Sequence, residues 1–180
     1  MNLKEIKVLE VEPELIENFK CRDEKVKRYL IEESRKREEM NLTRTTVFIE
    51  ETTGEVIGYY AMHAAYTKLA KYIRRGTERE IEEWGPIMYT DQDVDYPSIK
   101  LHFFGRCDND LYKGIGSQFL MHFLNKCYQL TKVIGFSLIA LECKTDLKQY
   151  YKDHGFKCIG SDGERKVMAM KSTDLKELFE

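Results

Sequence analysis

The chain has 180 residues, of which 42% are hydrophobic and 33% are charged, and its formal net charge at pH 7 is −2. This composition is typical of one globular domain that buries its own core, and it excludes a disordered chain. No apolar run approaches the roughly 18–20 residues that a membrane-spanning helix needs, and the charged segment 1–10 is not a signal peptide. We therefore expect a cytoplasmic protein with no membrane partner.

The N-terminal third combines a strand with helices. Residues 3–11 alternate loosely between apolar and polar and predict a strand, and the proline at 13 predicts a short helix over 13–20. Apolar residues at helical spacing predict an amphipathic helix over 23–40, with Asp23 as its N-cap.

A hairpin follows these helices. The β-branched segment 45–50, the turn 51–55 and the segment 56–65 predict two antiparallel strands. The pattern of residues 66–96 is weaker: we expect one or two short helices within 68–84 and an acidic loop over 90–96.

The C-terminal half alternates strands and helices. The pattern predicts a strand over 99–106, a helix over 116–131, an apolar strand over 136–142 and a short helix over 146–154. The chain then ends with predicted strands over 157–160 and 166–170 and a helix over 173–179.

This order of elements defines the fold class. The strand–helix–strand unit over 99–142 implies a right-handed crossover between parallel strands, whereas the hairpin is antiparallel. We therefore predict a single α/β (α+β) domain over 1–180, with a central mixed twisted β-sheet flanked by helices on both faces.

The five cysteines are widely spaced and no two form a C-x-x-C pair. This pattern argues against a disulfide framework and against a zinc site, so we expect reduced thiols and no metal. The slight negative charge also argues against nucleic acid as a partner.

The segment Lys113-Gly114-Ile115-Gly116-Ser117 follows a predicted strand and opens a predicted helix. Unpaired amides at a helix N-terminus bind anions, and glycines let a phosphate approach the main chain. The Ser117 hydroxyl adds a donor. The spacing matches neither a P-loop nor a complete G-x-G-x-x-G, so by itself the segment is better explained as a tight loop packed by glycines.

A second motif, Y-Y-K-D-H-G-F, covers residues 150–156. It predicts a short helix that ends at Gly155 in the left-handed conformation, before Phe156 enters a strand. By themselves, Tyr150 and Tyr151 could simply be core aromatics.

Together the two motifs resemble the GCN5-related N-acetyltransferase (GNAT) superfamily. That family has a phosphate loop of the form [Q/R]-x-x-G-x-[G/A] and a later F-Y-x-x-x-G-F segment, in the order and at the separation found here. The resemblance is clearest over 98–170, and it implies the GNAT fold with acetyl-CoA as cofactor.

The resemblance also implies where acetyl-CoA binds. The amides of the loop would hold the pyrophosphate, and the strand before the loop would pair with the pantetheine arm. The residues implied in pyrophosphate binding are Gly114, Ile115, Gly116 and Ser117, with Lys113 as an added charge; those along the pantetheine are Phe104, Gly105 and Arg106. Leu111 occupies the first motif position, where the family carries Gln or Arg, and Lys144 or Thr145 replaces an asparagine that is common in the family.

The catalytic roles follow from the same resemblance. Tyr151 occupies the position of a tyrosine that protonates the departing CoA thiolate and also lies against CoA. His102 and Glu142 are candidates for the base that deprotonates the amine. His102 is also explained as a half-buried histidine and Glu142 as a strand-end carboxylate, and the sequence does not choose between them.

The implied function is acetyl-CoA-dependent transfer of an acetyl group, by direct attack, to a primary amine of a small molecule or of a peptide or protein. A non-catalytic CoA-binding module on the same fold is one alternative. Another is a GNAT toxin that acetylates aminoacyl-tRNA, which the N-terminal region resembles through Phe19-Lys20-Cys21 and Gly58-Tyr59-Tyr60, although such toxins tend to be basic. The sequence leaves a homodimer open.

The acceptor amine is unknown, and residues 66–96 would form the loops on its side of the site. Aromatic and acidic residues there could recognise a cation or a ring. They are Tyr66, Tyr72, Trp84, Asp91 and Asp93.

Overall fold

The computed structural model describes residues 2–69 and 95–180. In chain order the elements are β1 (Leu3–Lys7), α1 (Pro13–Glu17), α2 (Glu24–Arg28), α3 (Ser34–Glu39), β2 (Arg44–Glu50), β3 (Val56–Lys68), β4 (Asp95–Arg106), α4 (Gly116–Thr131), β5 (Leu138–Cys143), α5 (Lys148–Asp153), β6 (Lys157–Asp162), β7 (Arg165–Lys171) and α6 (Leu175–Phe179). The helices expected within 68–84 lie outside the described residues, except that Lys68 belongs to β3. Residues 90–94 of the expected acidic loop also lie outside them.

The strands form a seven-stranded sheet in the order β1-β2-β3-β4-β5-β7-β6. The pairs β1–β2, β2–β3, β5–β7 and β6–β7 are antiparallel. The sheet is mixed, and α4 connects its neighbouring strands β4 and β5. The predicted α+β class and the predicted hairpin are therefore confirmed.

The chain divides into two compact units. The first comprises Met1–His63 and Leu101–Leu124, and the second comprises Ala64–Lys100 and Asn125–Glu180. Each is described below by itself.

In the first unit, helical segments cover both faces of β3. Successive strand residues point to opposite faces of a sheet. On one face a Cβ atom at Gly58 would collide with the Phe119 ring of α4. On the other face Tyr59 packs against Phe19 and Tyr29, with ring centroids 5.8 Å and 6.0 Å away. The predicted helices on both faces are present here.

The predicted helix over 23–40 is present as one continuous helical stretch over 24–39, which contains a π-helical turn. The Asp23 carboxylate caps α2 by accepting hydrogen bonds from the amides of Lys25 (3.0 Å) and Val26 (3.3 Å). A π-helical turn, Tyr29–Glu33, then separates α2 from α3. The Tyr29 hydroxyl donates to the Thr43 hydroxyl at 3.0 Å. These residues are 14 positions apart, so helical spacing in the sequence does not predict this contact.

The expected strand over 3–11 is shorter than predicted. It ends at Lys7, and a 3-10 turn, Val8–Glu10, follows. The Arg35 guanidinium donates to the carbonyls of Val8 (3.1 Å) and Val11 (2.8 Å), which holds this turn against the helical segment.

The second unit has its own core. Six buried residues form it, five from strands β4 to β7 and one, Leu69, that follows β3: Leu69, Tyr96, Leu138, Ile159, Val167 and Ala169. β4 covers Asp95–Arg106, so it includes residues before the predicted start at 99, and the Pro97 carbonyl accepts a hydrogen bond from the Ser137 amide at 2.8 Å. Residues 95 and 96, expected in a loop, are therefore in a strand.

None of the helices in the described parts of the chain has the length and hydrophobicity that crossing a bilayer requires.

The packing at Gly58 predicts a large effect of one methyl group. In Gly58→Ala the new Cβ would meet Phe119 and lie 2.8 Å from the Gly105 carbonyl oxygen. We expect the free energy of unfolding to fall by about 1–3 kcal/mol in urea titrations, as overpacking does. Gly135→Ala is the matched control, because no atom lies within 4 Å of its new Cβ. Equal stabilities of the two variants would contradict this packing.

Candidate functional site

The loop between β4 and α4 is anchored by buried side chains. The Asn109 side chain accepts from the Leu111 amide at 3.0 Å and starts a 3-10 turn, Asp110–Tyr112. Tyr112 and Ile115 are buried, whereas Leu111 is 84% exposed. The position at which the family carries Gln or Arg therefore holds an apolar side chain that extends into solvent.

The same loop leaves two amides available. The Ile115 amide donates to the Tyr112 carbonyl at 3.2 Å, and the Ser117 amide lies 3.4 Å from the Gly114 carbonyl. Within the described chain, no backbone acceptor takes the amides of Gly114 and Gly116. Gly116 is the first residue of the 16-residue helix α4, so these donors lie where the helix dipole favours an anion.

Gly114 has a φ of +88°, in the left-handed region where residues with a Cβ are strained. The glycine at this position is therefore required by the loop conformation, as the motif predicted. No other atom lies within 4 Å of the position that a Cβ would take, so the space in front of Gly114 is open.

The end of β4 leads directly into this loop. Gly105 is buried, and a Cβ there would collide with Val26 and approach Tyr59 to 3.1 Å. Phe104 and Arg106 are half-buried, and the Arg106 guanidinium donates to the Cys107 carbonyl at 2.8 Å. Close packing therefore explains the glycine at position 105, in addition to its expected role beside pantetheine.

His102 lies earlier on β4, in an aromatic cluster. Its ring centroid is 4.9 Å from that of His63 on β3, 5.5 Å from that of Tyr29 and 4.8 Å from that of Phe103. His63 and Tyr29 were not singled out in the sequence, because their proximity to His102 depends on strand pairing and on the π-helical turn.

Tyr151 lies in the second unit, on α5. Its side chain is 5% exposed, and burial raises the pKa of its phenol above the ordinary value. The ring packs edge-on against Tyr150 (5.1 Å) and Phe156 (5.9 Å). Gly155 has a φ of +88°, which confirms the predicted left-handed helix end.

Glu142 lies in the second unit on β5 and is already paired. Its carboxylate is 2.6 Å from the Lys100 ammonium, and the two side chains are 28% and 31% exposed. Lys100 was missed in the sequence because 42 residues separate it from its partner.

The structure thus places the expected residues in both units. His102, Phe104, Gly105, Arg106 and the whole loop 111–117 lie in the first unit, and Glu142 and Tyr151 lie in the second. Of the residues expected to contact the acceptor, Tyr66 is 73% exposed, and Tyr72, Trp84, Asp91 and Asp93 are outside the described residues.

No protein-family model and no curated protein sequence matches the chain. Solved structures do match it over nearly its whole length. A crystal structure of a bacterial toxin has a TM-score of 0.79 at 12% identity, with 98% of this chain and 94% of that chain covered. The toxin AtaT complexed with acetyl-methionyl-tRNAfMet has a TM-score of 0.76 at 15% identity, with 99% and 100% covered.

Two further matching structures contain other bound molecules. AtaT carrying a tyrosine-to-phenylalanine mutation, bound to the C-terminus of the antitoxin AtaR and acetyl-CoA, has a TM-score of 0.73 at 14% identity, with 99% of each chain covered. The KacTA–DNA complex has a TM-score of 0.74 at 16% identity, with 99% of this chain and 98% of that chain covered. The chain therefore has the GNAT fold that the motifs predicted.

The burial of Tyr151 predicts a pH dependence of stability. A phenol whose pKa is raised on folding loses its proton more easily in the unfolded state. The free energy of unfolding therefore falls as pH rises above about 10, the ordinary tyrosine value. In urea titrations above that pH, we expect Tyr151→Phe to lose stability less steeply than the control Tyr150→Phe, by up to ~1.4 kcal/mol per pH unit. Parallel curves for the two variants would contradict the burial of this hydroxyl.

Proposed function

We propose that the protein is an acetyl-CoA-dependent N-acetyltransferase. The observation that carries this proposal is the whole-chain similarity to toxins solved with acetyl-CoA and with an acetylated methionyl-tRNA. The loop at the start of α4 adds independent support, because it presents free amides and open space to an anion.

Acetyl-CoA would bind mainly in the first unit. The amides of Gly114 and Gly116 are the available donors for its pyrophosphate, and the Ser117 amide, whose present bond is long at 3.4 Å, can join them. The Ile115 amide would first have to release the Tyr112 carbonyl. Lys113 is exposed and adds a positive charge beside the loop. These contacts are to the main chain, so the apolar Leu111 does not prevent them.

The proposed reaction is direct attack of an amine on the thioester. The nitrogen lone pair forms the C–N bond, and the C–S bond breaks with its electron pair remaining on sulfur. The nitrogen gives a proton to a base, and the Tyr151 hydroxyl gives a proton to the thiolate and regains one from solvent. Burial raises the pKa of Tyr151 above its ordinary value near 10, and at neutral pH the hydroxyl carries its proton, as an unperturbed phenol also would. A primary amine is thereby converted to an acetamide, and CoA leaves as the thiol.

The acceptor that we favour is the amino group of an aminoacyl-tRNA, because AtaT was solved with the acetylated product of that class. The earlier expectation that nucleic acid is not a partner has no support from the comparisons, since similar structures contain tRNA or DNA. The net charge of −2 describes the average surface, whereas phosphate binding depends on local groups. A basic stretch is present on α2, with Lys25, Lys27 and Arg28.

The test is transfer of labelled acetyl from acetyl-CoA to three acceptor sets: a mixture of aminoacylated tRNAs, a panel of small primary amines, and a panel of peptides. Mass spectrometry of the released product identifies the acetylated amine. Acetylation of the charged tRNA alone supports the favoured acceptor, and acetylation of a small amine or peptide supports the broader alternative. Binding of acetyl-CoA without transfer to any acceptor would instead identify a non-catalytic module.

The proposed pyrophosphate site can be tested with a variant that should lose acetyl-CoA binding. Acetyl-CoA should raise the melting temperature of the wild-type protein, because a ligand that binds only the native state stabilises it. Gly116→Asp places a side chain and a negative charge at the proposed pyrophosphate site, so we expect this thermal shift to disappear. Gly135→Asp is the control, since its position is exposed and open. An undiminished shift in Gly116→Asp would show that CoA binds elsewhere.

The proposed role of Tyr151 as proton donor can be tested with a variant that lacks its hydroxyl. Tyr151→Phe removes the hydroxyl and keeps the ring, so the rate of acetyl transfer at saturating acetyl-CoA should fall by ~10²–10⁴-fold with little change in acetyl-CoA affinity. Tyr150→Phe is the matched control and should keep a rate close to wild type. Equal, mild losses would mean that neither hydroxyl is the acid, and a large loss only in Tyr150→Phe would assign the role to Tyr150.

A further inference from the structure

In the first unit, the ring of Tyr29 lies at two irregularities of the backbone, one in a helix and one in a strand. Tyr29 opens the π-helical turn. Its ring stacks on Phe103 at 4.2 Å and meets His102 edge-on at 5.5 Å. Neighbouring residues of a strand normally point to opposite faces, yet the rings of His102 and Phe103 are only 4.8 Å apart and both contact Tyr29. The alternation of β4 is therefore broken at these two residues.

Such irregularities are frequent at functional sites, where they redirect a side chain. Here the broken alternation brings His102 onto the face occupied by Tyr29. His63, on the neighbouring strand β3, then lies against it with ring centroids 4.9 Å apart and planes 36° apart. Both histidines are only partly exposed.

The closeness of the two imidazoles constrains their charge. Two positive charges about 5 Å apart repel each other, so the second proton is bound less readily than the first. Near neutral pH the pair consequently keeps at least one neutral imidazole, which is the form that accepts a proton. Of the other described rings that contact His102, Tyr29 is titratable, and its hydroxyl is occupied by Thr43; Phe103 carries no charge.

The location of the pair suits a proton acceptor. His102 precedes Phe104, where the proposed pantetheine segment begins, by two residues, or about 7 Å along a strand. If the pantetheine arm runs from the loop along β4, as the GNAT resemblance implies, its thioester end would lie toward His102.

We propose that His63 and His102 form a coupled imidazole pair, in which His102 takes the proton of the attacking amine and His63 positions it and keeps it neutral. This proposal rests on the proposed acetyltransferase function. In the transfer step the N–H bond of the amine breaks, its proton moves to a lone pair of the His102 imidazole, and the pair later releases that proton to solvent.

The coupling can be tested without any acceptor. The chain has four histidines, so ¹³C-labelled histidine gives four ring signals that can be followed by NMR from about pH 5 to 9. In the wild-type protein we expect the ring signals of His63 and His102 each to show two inflections with pH. In His63→Gln or His102→Gln, the signal of the remaining histidine of the pair should show only one. His122, whose imidazole lies 3.0 Å from the Glu5 carboxylate, and His154 should titrate alike in all three proteins. If the remaining histidine titrates in each variant as it does in the wild-type protein, the proposed coupling of His63 and His102 is overturned.

The catalytic part is tested by the pH dependence of kcat/KM for acetyl transfer. His102→Gln should lower kcat/KM by ~10²–10⁴-fold and remove the inflection in the imidazole range. His63→Gln should keep more activity but move that inflection by about one pH unit, and His63→Phe, which keeps a ring in place, should do the same. His122→Gln should match wild type.

The outcomes separate the two proposals. Transfer with a wild-type rate and profile in His102→Gln overturns the pair and leaves the acetyltransferase function standing. A rate loss in His63→Gln that His63→Phe restores, with the inflection unmoved, shows that His63 is only a packing residue and also overturns the pair. No transfer to any acceptor by the wild-type protein overturns the proposed function and, with it, the role of the pair.

Discussion

The close approach of β3 to β4 is the constraint on which the first unit depends. A Cβ at Gly58 would lie 2.8 Å from the Gly105 carbonyl oxygen and against Phe119, and a Cβ at Gly105 would strike Val26. Two glycines on neighbouring strands thus let a helix pack tightly on each face. The Cys107 amide donates to the Ile57 carbonyl at 2.8 Å just beyond this point, so the chain enters the loop from a fixed position. Buried Tyr112 and Ile115 then anchor the loop that leads into α4.

Much of this arrangement could be predicted from local sequence. The hairpin, α4, β5 and the end of α5 at Gly155 have signals that span only a few residues: β-branched runs, helical spacing, and a glycine where φ is positive. The G-I-G-S loop was predicted for the same reason, because Gly114 must adopt a conformation that residues with a Cβ avoid. Where the conformation follows from neighbouring residues, the sequence is sufficient to indicate it.

The features that were missed depend on distant contacts. Tyr29, at the start of the π-helical turn, donates to the Thr43 hydroxyl, and Pro97, near the described start of β4, accepts a bond from the Ser137 amide. The ion pair between Glu142 and Lys100 joins strands that lie far apart in sequence, and the role of Glu142 as a base stays a prediction. His63 has no local motif, and only strand pairing places it beside His102. The expectation that nucleic acid is not a partner, which was drawn from the net charge, is not supported by the comparisons, and a net charge does not describe any particular surface.

The central claim is that this fold binds acetyl-CoA through the amides at the start of α4. The most direct measurement is an amide NMR titration of the uniformly ¹⁵N-labelled protein with CoA, with residue assignments for the loop. If CoA binds to these amides, the largest shifts should occur at Gly114, Gly116 and Ser117 and should saturate with increasing CoA. A saturable titration in which these three amides stay unmoved while another surface responds would contradict this claim.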